Sequence, residues 1–179
     1  VGDQEKSFCI LVKTAYRKKS LPVRWYIFHD SSVVSVFCCT DAARRLIQEQ
    51  PEQYGAFQVA SAGVMCAGPS PASPQAVVVA QKNGCDLSQF TAKQITEPLM
   101  QEADYIFVMT RSHKMMLDAA MPQYSDKVFL LNAYAAGDPT APEIPDPFGG
   151  DEEDYAQCFA VLQESIQAVF AKIKAANNL

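Results

Sequence analysis

Val33-Val34-Ser35-Val36-Phe37-Cys38-Cys39-Thr40-Asp41-Ala42-Ala43-Arg44-Arg45 is the stretch on which the reading of the fold turns. Its first five residues are dominated by β-branched and aromatic side chains, which suit a pleated surface, so a strand is expected over residues 33–37, ending at Cys38. The residues after it suit a helix, expected over 43–50, until Pro51 interrupts or restarts it. A strand that hands over to a helix within a few residues is the signature of one half of a parallel α/β unit.

Working outward, residues 57–60, 105–109 and 127–131 read as further strands. Residues 75–82 read as a helix closed by Asn83-Gly84, and residues 112–120 and 152–175 as two more. In the last helix Phe159, Leu162, Ile166, Val169, Phe170 and Ile173 recur at helical spacing and form a face that should cover a sheet. Alternating strands and helices require crossover connections. The expected fold is therefore α/β, a three-layer sandwich with a central four-stranded parallel sheet and helices on both faces. Ligands in such sheets gather at the carboxyl ends of the strands, which directs attention to the loop after the first core strand.

The bulk properties bound the possibilities. The chain has 179 residues, 49% hydrophobic and 20% charged, enough apolar material for one globular core. A single domain is expected over residues 32–179, preceded by an N-terminal extension, 1–31. A formal charge of -5 argues against a nucleic-acid binder, which needs a surplus of Lys and Arg. No run approaches the roughly 20 apolar residues that cross a bilayer, so no membrane partner is expected. The six cysteines show neither a dense disulfide framework nor paired metal-binding spacing, and His29 and His113 lie far apart. Free thiols, no metal site and a cytoplasmic setting are the expectations.

Residues 8–13 and 23–28 are strand-like and are joined by the basic turn Arg17-Lys18-Lys19. A hairpin or an edge addition is expected there, with self-association through the extension as its functional counterpart.

Far downstream lies Ile144-Pro145-Asp146-Pro147-Phe148-Gly149-Gly150, an aspartate on a Pro-flanked loop. Upstream of it, in this order, come Ser61-Ala62-Gly63, Gly84-Cys85-Asp86-Leu87-Ser88, Ala92-Lys93-Gln94, Ala103-Asp104, Val108-Met109-Thr110, His113-Lys114 and residues 127–131. With these motifs in this order, residues 33–173 resemble the low-molecular-weight protein tyrosine phosphatases and their bacterial arginine-phosphatase and arsenate-reductase relatives. The resemblance implies a phosphate loop between the first strand and first helix, built from a cysteine, five residues and an arginine. Two frames satisfy that spacing, Cys38 with Arg44 and Cys39 with Arg45. The first is preferred, because it places Ala43 at a position that is often small and Glu49 on the family's helix glutamate.

The resemblance therefore implies Cys38 as nucleophile, Arg44 as anion ligand and Asp146 as general acid. Cys39, Thr40, Asp41, Ala42, Ala43 and Arg45 would surround the phosphate. Five intervening residues can curl so that successive backbone N–H groups converge on one anion, and the same field favours thiolate over thiol. The thiolate would attack phosphorus while Asp146 protonates the leaving oxygen, with no metal or cofactor. The expected partner is a phosphorylated protein or a small phosphate ester, carrying phosphotyrosine-like or phosphoarginine-like groups.

The loop departs from the family pattern. It lacks the early Gly-Asn pair and the Ser-Pro after the arginine, and it carries Asp41. A carboxylate about 4 Å from a phosphate oxygen costs roughly 4 kcal/mol before screening at an effective dielectric near 20. Two readings follow: a metal-independent phosphomonoesterase working through a cysteinyl-phosphate, and a catalytically impaired relative that keeps the fold for regulation or partner contact.

Overall fold

The computed structural model describes residues 8–14, 34–55, 57–63, 72–87, 94–147 and 149–177. The expected strand over residues 23–28, the basic turn at residues 17–19, His29 and Phe148 lie outside these. Four strands, β1 (Phe8–Thr14), β2 (Phe57–Gly63), β3 (Tyr105–Val108) and β4 (Val128–Leu130), form one sheet in the order β2-β1-β3-β4.

β1 pairs antiparallel with β2 along its whole length, from Phe8 opposite Gly63 to Thr14 opposite Phe57. On its other side it pairs antiparallel with β3, from Cys9 opposite Val108 to Val12 opposite Tyr105. β3 and β4 run parallel. The class is α/β, but the sheet is mixed rather than all-parallel, with β1 running against the other three. Strand direction is not encoded in hydrophobic pattern, and the long connection between β1 and β2 can return the chain to either end of the sheet. Residues 8–14 are not an edge hairpin either; they occupy an interior position of the sheet.

That placement changes the segment on which the sequence reading turned. Helix α1 spans Val34–Glu49, so residues 34–37 are helical where a strand was expected, and the helix begins well before residue 43. A β-branched run becomes a strand only where a sheet offers it a ladder to join, and β1 fills the position between β2 and β3. Over the rest of α1 the pattern is helical, with Thr40, Ala43 and Leu46 forming a buried stripe.

The other elements follow the sequence closely. Pro51 opens a short helix, α2 (Pro51–Tyr54), where its missing N–H costs nothing. α3 (Pro74–Lys82) ends at Asn83-Gly84, and Gly84 takes φ +72, a left-handed angle that a side chain would strain. α4 (Glu97–Glu102) has its C-terminal carbonyls gathered by Lys127, whose Nζ donates to the oxygens of Gln101 at 3.2 Å and Ala103 at 2.8 Å. α5 (Arg111–Ala120) is capped by Thr110, which accepts from the backbone N–H of His113 at 3.3 Å. A 3₁₀ turn over Pro122–Lys127 leads into β4, then α6 (Leu131–Ala136) and the long α7 (Glu152–Asn177).

The expected stripe on α7 is buried: Leu162, Val169, Phe170 and Ile173 are at most 1% exposed. They join Ile106, Phe107 and Val108 of β3, and Leu117 of α5, in one core. Phe107 is fully buried, with the rings of Tyr134 and Phe129 at 5.1 and 6.0 Å. Each such side chain contributes roughly 1.5–3 kcal/mol by leaving water. A second cluster joins Ala76, Val79 and Ala80 of α3 to Tyr155 and Phe159 of α7. Among the described residues no helix is long and apolar enough to cross a membrane.

An interior β1 makes a specific demand on the chain. Leu11→Pro removes a ladder donor from a strand paired on both sides and should cost about 3 kcal/mol or more. Urea denaturation of the full chain reads this directly; a midpoint unchanged from wild type would place β1 outside the sheet.

Candidate active site around Asp146

Asp146 sits on a loop that three elements hold in place. At the carboxyl end of β3, the Met109 carbonyl accepts from the backbone N–H of Ile144 at 3.2 Å, and Ile144 itself is buried. From the first residue of α5, Arg111 donates to Glu143 at 2.7 Å and to the Pro139 carbonyl at 3.1 Å. From α6, Asn132 donates its side-chain amide to the Pro142 carbonyl at 2.9 Å, while its own oxygen accepts from Ser165 of α7 at 3.3 Å. The Arg111–Glu143 pair is partly exposed and adds only about 0–1 kcal/mol. Its effect is to fix where the loop runs.

Local chemistry shapes the two ends of that loop. Asp138 accepts from the Thr140 hydroxyl at 2.7 Å and the Thr140 backbone N–H at 2.8 Å, and these bonds hold its carboxyl below its ordinary pKa. Beyond Asp146, Pro147 accepts from Gly150 N–H at 2.9 Å, with Gly149 at φ +81 completing the turn. Asp151 then caps α7: its carboxylate accepts from the N–H groups of Glu153 and Asp154, and Asp154 returns a bond to Asp151 N–H at 3.0 Å. The two prolines flanking Asp146 disfavour helical backbone and keep the segment extended. The result is a half-buried carboxylate on a braced loop.

The thiol beside Asp146 belongs to Cys158, on the buried face of α7, with its Sγ 3.7 Å from the Pro145 carbonyl oxygen. Burial, and then the negative charge of Asp146, push this thiol up to about 12. A thiol so shifted stays protonated at neutral pH, so Cys158 is not a nucleophile. Sequence reasoning missed this neighbour, although its place in the α7 stripe marks it as buried.

The residues expected to seat a phosphate are placed differently. Cys38, Cys39, Thr40, Asp41, Ala42, Ala43, Arg44 and Arg45 all lie within α1. The expected phosphate loop falls on this helix. In a helix each backbone N–H points along the axis towards the carbonyl four residues back, so these groups cannot converge on one anion. Thr40 and Ala43 are buried in the packing, and Arg44 is exposed. Arg45 donates to the Asn83 carbonyl at 2.9 Å and lays its guanidinium against Gly84, tying α1 to the end of α3. Among the described residues no group of three or more His, Cys, Asp and Glu could hold a metal ion.

Comparison with known proteins adds an independent measure. The sequence profile described as low molecular weight phosphotyrosine protein phosphatase matches residues 34–179, so β1 lies before the match. A protein-arginine-phosphatase of Bacillus subtilis is 31% identical over 138 residues, covering 76% of this chain and 90% of the relative. The low molecular weight protein-tyrosine-phosphatase Wzb of Escherichia coli is 30% identical, covering 78% and 91%. Among solved structures, the YwlE arginine phosphatase from Geobacillus stearothermophilus superposes with a TM-score of 0.71 at 26% identity, covering 87% of this chain and 95% of that one.

Cys158 gives the site a pH signature. Its folded pKa lies above the ordinary thiol value of 9, so its contribution to stability is complete below pH 9 and is lost as pH rises towards 12. Denaturant midpoints should therefore fall across that window, and the fall should be smaller in Cys158→Ala once each protein is referenced to its own value at pH 7. Parallel curves would remove Cys158 as the cause.

Proposed function

Because the chain belongs to the low molecular weight phosphotyrosine protein phosphatase family, a family of hydrolases, we propose that it is a phosphatase-fold protein that engages phosphorylated protein groups while its turnover through Cys38 is impaired. The observation that carries this reading is the unbroken helix over residues 34–49, in which the main-chain N–H groups of residues 38–44 are directed at the carbonyls of residues 34–40. A helix keeps the α/β fold while leaving an anion without a ring of donors. The role that remains is regulatory or partner-binding, towards phosphotyrosine-like or phosphoarginine-like segments. Two buried free thiols, Cys85 and Cys158, support a reducing, cytoplasmic setting.

A second reading has its own support in the braced loop that presents Asp146. In it the chain is a metal-independent phosphomonoesterase: Cys38 attacks phosphorus, Arg44 forks two phosphate oxygens, and Asp146 protonates the leaving group. Backbone donors from Cys39, Thr40, Asp41, Ala42, Ala43 and Arg45 would complete the seat. That route requires the first half of α1 to unwind. Each helical hydrogen bond given up costs on the order of 1 kcal/mol, and Thr40 and Ala43 must leave their packing as well.

Hydrolysis of a chromogenic aryl phosphate at about pH 5 to 6 separates the two. The impaired reading expects background rates that do not change in Cys38→Ser, Cys39→Ser or Asp146→Ala. Turnover above background that vanishes in Cys38→Ser and falls about 10²–10⁴-fold in Asp146→Ala would establish the enzyme instead.

A further inference from the structure

From residue 141 to residue 147 the chain is neither helix nor strand, yet its burial is regular. Ala141, Ile144 and Pro147 are buried, Pro142 and Pro145 are exposed, and Glu143 and Asp146 are half-buried. A repeat of about three residues is the period of the left-handed polyproline II helix; a strand repeats about every two and an α-helix about every 3.6. The sequence enforces this conformation. Proline fixes φ at residues 142, 145 and 147, and the residue before each is pushed to the same extended region, so Glu143 alone is left unrestricted.

The ridges of this helix have different fates. Ala141, Ile144 and Pro147 are sunk into the protein, and the Ile144 N–H donates to the Met109 carbonyl at 3.2 Å. The proline ridge stays in water, with Pro142 and Pro145 roughly 9 Å apart at the rise of such a helix. Both prolines border a cavity of about 570 Å³ that α7 lines with Gln157 and Val161, one turn apart. Val161 is 41% exposed, one of the few large apolar side chains so exposed among the described residues.

We propose that residues 141–147 are a preformed polyproline II ligand for a partner protein, whose aromatic-lined groove straddles Pro142 and Pro145 and places a tryptophan in the cavity. This goes beyond the phosphatase-type reading above. Proline-rich helices are read by such grooves, in which aromatic rings lie against the proline faces. An indole suits this cavity in particular. Its apolar body meets the prolines and Val161, while the Gln157 amide nitrogen donates to Glu153 at 3.2 Å and its oxygen can accept the indole N–H. Asp138, just before the segment, and Asp154, which lines the cavity, are both exposed, so the complementary groove carries basic side chains at its rim. The conformation is also held in advance, by Asn132 on the Pro142 carbonyl at 2.9 Å and by Arg111 on Glu143. The ordering cost that a disordered proline-rich segment meets on binding is therefore largely absent.

NMR of the full chain, following proline ring protons and backbone amides, tests this with N-acetyl-tryptophan amide and N-acetyl-leucine amide as probes. The tryptophan probe should give saturable upfield shifts at Pro142 and Pro145, the mark of a ring face laid on them, with amide shifts at Gln157 and Val161. The leucine probe should bind about fivefold more weakly. Pro145→Ala removes half of the ridge, and Val161→Ser removes the apolar contact from α7 without touching the segment; each should weaken the tryptophan probe about threefold. Val78→Ser, at a similarly exposed valine on α3, should change nothing. Equal binding of the two probes, saturation with the prolines unshifted, wild-type affinity in both Pro145→Ala and Val161→Ser, or no saturation overturns the proposal. Hydrolysis enters none of these readouts, so this result and the aryl phosphate assay stand or fall separately.

Discussion

Between β2 and β3 there is room for one strand, and residues 8–14 occupy it. A central strand has its backbone N–H and C=O groups satisfied from both sides, and any competing segment must find its bonds elsewhere. Residues 34–37 have a strand-like composition, but as the first turn of a helix their carbonyls accept from the N–H groups of the next turn. The consequence reaches the candidate site. Once those residues are helical, the helix runs on through Cys38 and Arg44, and a segment that would have to curl around an anion is instead straight.

Much of the architecture was legible because its signals are periodic. The α7 stripe from Phe159 to Ile173 repeats over about four turns, α3 carries its own stop at Asn83-Gly84, and β3 and β4 are short apolar runs. Residues 34–37 were misread because so short a run of valine and phenylalanine around one serine has no period long enough to exclude a helix. β1 was recognised as a strand but assigned to an edge, since nothing in a strand's own residues says which neighbours it will have. At the site, the Pro-Asp-Pro motif stood out, but the residues that brace it did not. Arg111, Asn132 and Ser165 come from α5, α6 and α7 and meet the loop only through the tertiary fold.

Electrostatics divides the site into unlike parts. The arginines expected to hold an anion sit on α1, where Arg45 is spent on the Asn83 carbonyl. The Asp146 loop, by contrast, gathers carboxylates, and it sits beside the Cys158 thiol, which burial first and the Asp146 charge second push up. A carboxylate in such company is well placed to hold a proton.

The interior place of β1 also bears on how the molecule is made. Its residues leave the ribosome before those of its two partners, β2 and β3, and Cys9 finally meets Val108 across about a hundred intervening residues of chain. Until then the nascent chain carries a lone ribbon with both edges unclaimed, which is the kind of segment that adheres to other chains. Contacts so distant in sequence close slowly, so assembly of this sheet should be late in folding and the step most dependent on chaperones.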